Sequence, residues 1–361
     1  MARRPEGPLR RGWTTGACAT AATRAAYCAL LTGEFPDPVT IRLPRGETPA
    51  FPLAREERGE DFARAGIVKD AGDDPDVTHG ALVVSTVRRG RPGSGVVFRA
   101  GAGVGTVTKP GLPLPVGEPA INPKPRELMR AAVAEVAAAE GDAGDLEVEI
   151  SVPGGDALAR KTWNPRLGIE GGLSILGTTG VVVPFSCSAW IHSIHRGIDV
   201  ARANGLKHVA GCTGSTSEAA VQALYGLPDI ALLDMGDFAG GLLKYLRRHP
   251  LPRLTLGGGF GKLTKLATGH LDLHSGRSQV DFDFLARLLQ ETGGTAEQAA
   301  AARACNTALE VLQLAMANNL PLGDAVADRA RATALDVLAG ETAVEVLVFD
   351  RQGGLIGRAD G

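Results

Sequence analysis

The stretch Arg253-Leu254-Thr255-Leu256-Gly257-Gly258-Gly259-Phe260-Gly261-Lys262-Leu263-Thr264-Lys265-Leu266-Ala267 decides how the chain is read. A short apolar run meets three glycines and then takes up helical spacing. The pattern predicts a strand over 253–256, a glycine loop and a helix over 262–267. The same rhythm recurs upstream: strand 207–210, helix 217–224, strand 230–233, helix 238–248. Alternating β and α pieces with short apolar strands predict a doubly wound, parallel α/β sheet, Rossmann-like in character. Such sheets bind ligands beyond the carboxyl ends of their strands. Helices dominate from 282 to 338, and 344–349 reads as a last strand that either joins this sheet or returns to the first lobe.

The first half has a different rhythm. Thr14 and Thr15 can cap a helix over about 16–31, closed by Gly33, with the small face Ala17, Cys18, Ala21, Ala22, Ala25, Ala26. Strands are expected at 39–43, 65–68, 81–87, 96–99 and 146–152, with a helix over 125–140. This is α+β, a sheet with two helices. The first fifteen residues read as a loose arm, and the Pro- and Gly-rich segment 161–172 as a hinge. Two domains are therefore expected: an α+β lobe over 1–170 and an α/β lobe with a helical extension over 171–361.

Composition excludes several classes. Lys and Arg number 38 against 40 Asp and Glu, a balance that argues against a general nucleic-acid binder. No apolar run reaches the roughly 18–20 residues of a bilayer span, and no secretory pattern follows the N-terminal arginines. The five cysteines form no C-x-x-C pair. A disulfide framework or structural zinc is not expected, and a reducing cytoplasm fits.

Four glycine- or acid-rich clusters stand out. In Lys69-Asp70-Ala71-Gly72-Asp73-Asp74-Pro75-Asp76-Val77-Thr78, four carboxylates crowd together. They need a cation, which is Lys69, a metal or a cationic ligand, or else form a surface turn. The closing Glu of an EF-hand is missing. Gly101-Ala102-Gly103-Val104-Gly105 is followed by strand-like residues and Pro110, so it is not a dinucleotide fingerprint. The turn 171–180 offers N–H groups and the hydroxyls of Thr178 and Thr179 to an anion. Two loops, at Asp234-Met235-Gly236 and Gly257-Gly258-Gly259, fall at expected carboxyl ends of strands. The second is not a P-loop, because Leu263 stands where a hydroxyl would hold Mg²⁺. His192/His195 and His270/His274 lack a third ligand in a zinc pattern, and no protein-bound metal is expected.

Arg11-to-Gly16, Lys69-to-Thr78, Gly101-to-Gly111, Gly117-to-Pro125, Gly171-to-Gly180 and Gly261-to-Ala267 occur in that order, spanning about residue 9 to the last strand. Together they resemble the cobalt-precorrin-5B C1-methyltransferases of cobalamin biosynthesis. The resemblance implies S-adenosylmethionine as co-substrate, a tetrapyrrole acceptor, and a fold unlike the usual tetrapyrrole methylases. Under that reading Asp234, Gly236, Gly257 and Gly259, with Thr178 and Thr179 in reserve, are expected to hold the methyl donor. Lys109, Lys124, Arg126, Lys161, Arg166, Lys262 and Lys265 are expected to pair with acceptor carboxylates. Asp70, Asp73 or His274 is the expected proton acceptor. A cobalt-free acceptor in an oxygen-dependent route, a non-catalytic tetrapyrrole carrier and a phosphate-handling enzyme are the competing readings. A homo-oligomer is compatible with the sequence.

Overall fold

Arg253 to Gly259 is one strand, glycines included, in a computed structural model that describes residues 7–360. The sequence ends this strand at Leu256. The structure continues it because Gly257, Gly258 and Gly259 pair with Leu347, Val348 and Phe349. A Cβ on Gly257 would lie 2.8 Å from Val221 Cγ2 and 3.0 Å from Cys212 Sγ, so glycine lets the helix Ser215–Tyr225 close on the sheet.

The chain divides into two compact units, the first ending at Cys187 and the second beginning at Ser188. In the second unit a five-stranded sheet runs in the order Leu232–Leu233, His208–Cys212, Arg253–Gly259, Ala343–Phe349, Leu355–Ala359. The first three junctions are parallel and the last is antiparallel. The strand 343–349 thus joins this sheet, and a further strand that the sequence reading missed follows it in a hairpin. Side chains alternate between faces. Val209, Leu254, Leu256, Val344, Val346 and Val348 pack with residues of the helices Cys187–Ala203, Ala239–Arg248, Phe260–Ala267 and Leu322–Leu338. Ala210, Cys212, Leu347 and Phe349 pack with Val221 of Ser215–Tyr225.

The first unit is built on the sheet order Arg55–Arg58, Phe62–Val68, Leu82–Arg89, Leu146–Ser151, Val96–Ala100. Only the junction of the last two strands is parallel. Two helices, Thr15–Thr32 and Pro123–Glu140, contribute to its core. The expected loose arm is partly ordered: Gly12–Trp13 pairs with Val181–Val182; residues 1–6 lie outside the described residues. The expected hinge is also built in. Ile169–Glu170 pairs with Thr106–Val107, and the main chain of Leu173 exchanges hydrogen bonds with Gly103 and Gly105. Proline and glycine here shape a bonded loop instead of a linker, which carries the first unit past residue 170.

Candidate functional site

In the second unit the chain passes from His208–Cys212 outward to Leu232–Leu233, then back across to Arg253–Gly259 on the other side. The order reverses between His208–Cys212 and Arg253–Gly259. A parallel sheet opens its crevice at such a reversal, beyond the carboxyl ends. The residues there are Thr213-Gly214 and Gly259. A Cβ on Gly214 or on Gly259 would meet nothing within 4 Å, so both glycines face open space. Each is also the N-cap of a helix and offers no side-chain cap. Two helix N-termini without side-chain caps flank the reversal, an arrangement suited to a carboxylate.

Asp237 and Lys262 brace this edge. Lys262 Nζ donates to Thr213 O at 3.0 Å and lies 2.9 Å from Asp237 Oδ1. That second contact is a close ion pair without hydrogen-bond alignment, which leaves the buried Oδ1 otherwise unsatisfied. Lys265 Nζ is buried and donates to Leu273 O at 3.0 Å. Burial holds its pKa below the usual lysine value, with nearby Asp237 opposing. Both lysines bond protein groups; Lys265 is buried, whereas Lys262 keeps 37% of its side chain exposed.

The other expected donor residues divide. Gly236 has φ +54° and a Cβ there would sit 3.3 Å from Trp190; Asp234 accepts the Trp190 indole N–H through its carbonyl at 2.9 Å. This loop follows the outer strand and is held by the indole. Gly257 lies within the sheet. Gly259 alone of the expected glycines stands at the reversal. Thr178 is exposed and Thr179 closes a turn with Val181, both in the first unit. Thr213 and Gly214 were not singled out from the sequence; a strand followed by Thr-Gly-Ser was the available signal.

The four crowded carboxylates each have a protein partner. Asp70 pairs with Arg10 and accepts the Gly72 N–H. Asp73 accepts the Arg10 N–H at 2.6 Å, Asp74 the Phe185 N–H at 2.8 Å, and Asp76 takes buried Lys69 at 2.6 Å. The required cations are Lys69 and Arg10. The Arg10 hydrogen bonds hold Asp70 at a pKa of about 2, which makes it a poor proton acceptor. Burial raises the Asp76 carboxyl, but Lys69 and Thr78 outweigh it and hold it below the usual range. The cluster is a clasp on the segment Arg10–Trp13: Trp13 N donates to Asp70 O at 2.7 Å. His274 is exposed on a loop where its Nδ1 accepts the Gly276 N–H. Among the described residues no group of three or more His, Cys, Asp or Glu is placed to hold a metal ion.

The remaining basic residues belong to the first unit. Lys109 lies 4.0 Å from Glu170, Lys124 pairs with Glu127, and Lys161 is exposed. Arg166 stacks 4.9 Å from the Trp163 ring centroid. Arg126 donates to Ile121 O, Pro119 O and Glu118, so much of its fork serves the fold. It also lines a cleft of about 460 Å³ with Phe98, Arg99, Thr106, Glu118 and Arg130. The sequence reading did not single out Arg99 or Arg130.

Comparison with known proteins follows this geometry. The CbiD family profile matches residues 2–184, and the profile described as the CbiD C-terminal domain matches residues 272–360. A protein of Paramagnetospirillum magneticum named cobalt-precorrin-5B C(1)-methyltransferase is 66% identical, over 98% of this chain and 99% of that one. The chain belongs to the CbiD family. A Brucella anthropi protein of the same name is 64% identical over 97% of this chain and 95% of its own. A crystal structure titled as a cobalamin biosynthesis protein (cbiD) from Archaeoglobus fulgidus is 28% identical, with a TM-score of 0.42, covering 75% of this chain and 84% of that one.

Proposed function

We propose that this CbiD chain is an S-adenosylmethionine-dependent methyltransferase that methylates C1 of cobalt-precorrin-5B in anaerobic cobalamin biosynthesis. The observation that carries the reading is near-full-length identity of 66% to a protein of that name. The open, glycine-capped reversal of the parallel sheet supports it independently and gives a Rossmann-like second unit a place for the donor. No helix among the described residues is long and apolar enough to cross a membrane, and the five cysteines are free thiols, in keeping with a reducing compartment.

S-adenosylmethionine, when bound, supplies a sulfonium methyl group for in-line displacement by an electron-rich ring carbon. The chain's part is binding, alignment and exclusion of water, and alignment alone can contribute up to about 7–11 kcal/mol. The N–H groups at the starts of Ser215–Tyr225 and Phe260–Ala267 receive the donor's carboxylate, while Gly214 and Gly259 leave room for it. Lys262 keeps the Thr213 and Asp237 loops in register. With Asp70 held ionised by Arg10, the remaining candidates for proton removal are Asp73, which accepts the Arg10 N–H, and the exposed His274.

Calorimetric titration with S-adenosylhomocysteine tests the donor site. Gly259→Val is expected to weaken binding at least tenfold with an unchanged melting temperature, since its φ of −71° suits valine. Asp234→Ala is expected to change affinity less than about threefold, a change of about 0.6 kcal/mol. A Gly259→Val variant that binds like the native chain would remove the reversal from the proposal. Mass spectrometry of the acceptor with methyl-labelled donor then reads the reaction, and retained acceptor binding without methyl gain would mark a carrier.

A further inference from the structure

The cleft in the first unit has a feature that its hydrogen bonds leave unexplained. It is lined by Arg126 and Arg130 against one carboxylate, Glu118; Arg99 also borders it, but its side chain leaves the other face of the strand, where it meets Glu147. Its volume of about 460 Å³ falls within the roughly 300–1,000 Å³ of small-molecule sites. The floor is the strand Val96–Ala100, which stands at the edge of its sheet and pairs on one side only.

The two guanidinium groups over this floor are prepared to different degrees. Phe98 is buried, and the guanidinium carbons of Arg126 and Arg130 lie 5.4 and 5.0 Å from its ring centroid. Stacking of this kind fixes the plane of each fork. Arg126 spends donors on Ile121 O and Pro119 O and meets Glu118 Oε2 at 2.8 Å. Arg99 uses its Nε on Glu147 at 3.1 Å. Arg130 makes no ion pair or side-chain hydrogen bond among the described residues. Glu118 is half-exposed at the rim, so an internal carboxylate already occupies one of the forks.

We propose that the Arg126–Arg130 cleft is a carboxylate-binding site that takes an acidic arm of a polycarboxylate ligand, with Glu118 as the internal competitor. The naming of that ligand as the methyl acceptor rests on the function proposed above. The site itself rests on residues of one unit. Bidentate pairing of a carboxylate with the free fork of Arg130 provides the main attraction, and the stacked charge of Arg126 adds to it. The stacked Phe98 keeps the cleft floor apolar and the forks in place.

The test is fluorescence titration of the full-length protein with uroporphyrin, a planar tetrapyrrole bearing eight carboxylates. Arg130→Gln is expected to weaken binding about tenfold, and Arg99→Gln, on the other face of the strand, to leave it unchanged. Glu118→Gln is expected to tighten it several-fold, because it removes the competing charge; a purely structural Glu118 would not do this. All three positions are exposed or half-exposed, and circular dichroism checks that each variant folds. Unaltered dissociation constants in Arg130→Gln and Glu118→Gln, or no binding by the native chain, would overturn the site. The readout does not depend on catalysis. Charge-dependent binding without methyl transfer would retain the cleft and reject the reaction; methyl transfer unaffected by Arg130→Gln would do the reverse.

Discussion

Glu345 is a charged residue inside the apolar strand Ala343–Phe349, with 3% of its side chain exposed. It accepts from Tyr225 Oη at 2.5 and 2.7 Å and from Thr255 Oγ1 at 2.8 Å, and Arg253 and Arg358 lie at 3.2 and 2.9 Å. Thr255 donates to Glu345, so it accepts from His208 Nε2 at 2.8 Å, which places the proton of a neutral His208 on Nε2. Burial lowers the His208 pKa and favours that neutral form. For Glu345, burial raises the pKa, but the Tyr225, Thr255 and Arg253 donors outweigh it and hold it below the usual value. A depressed carboxylate stabilises the fold above its unfolded pKa of about 4.3, and that contribution is lost as pH falls through the lower folded value. Glu345→Gln is expected to cost about 1–3 kcal/mol by urea denaturation at neutral pH, because the buried hydrogen-bond network loses its charged acceptor while the two arginines, each about two-fifths exposed, stay hydrated. It should also flatten the acid limb of the stability profile below about pH 4.3. A variant with native stability and a native acid limb would refute the account. The lone glutamate in Val344-Glu345-Val346 was visible in the sequence, but its partners come from three other elements and could not be read from spacing.

At the scale of elements, the helix Thr15–Thr32 shows what sequence conveys well. Thr14 accepts the Ala17 N–H and Gly33 takes φ +89° at the C-cap, as capping chemistry predicts. Its alanines are buried around most of the surface, which lets the sheet and Pro123–Glu140 approach closely. Ala22→Leu is therefore expected to destabilise the protein by about 1–3 kcal/mol through overpacking, whereas Thr14→Ala should cost about 1 kcal/mol. Thermal denaturation of both variants checks the order, and a neutral Ala22→Leu would show slack in this core. Arg55–Arg58 shows what sequence conceals. Arg-Glu-Glu-Arg carries no apolar alternation, yet it pairs with Ala63–Gly66 as an edge strand, where charge discourages further pairing. The glycine run 257–259 misled in the opposite direction. Glycine ordinarily breaks strands, but here its missing side chain admits Val221 and Cys212. The carboxyl edge of the parallel sheet was legible as a class of place, while the reversal that singles out Gly214 and Gly259 needed the strand order.

Across the whole molecule, apolar burial is divided between cores that share no residue. One core gathers residues from Ala17 to Ile175, with a satellite around Val107 and Ile169. The other gathers residues from Ile194 to Ala359, with a satellite on the opposite sheet face. Each set falls inside one of the two compact units. Separate cores predict that stability is lodged unit by unit, so that a single unfolding free energy would not describe the chain. Ile150 and Leu254 are fully buried, one in each core. Truncating either to alanine should cost about 2–5 kcal/mol in its own unit. Hydrogen exchange read by mass spectrometry should then show faster exchange in the unit ending at Cys187 for Ile150→Ala, and in the unit beginning at Ser188 for Leu254→Ala. The double variant should show the sum of the two patterns, since distant sites with no shared partners add. Faster exchange spread across both units by either single substitution would mean that the two cores unfold as one.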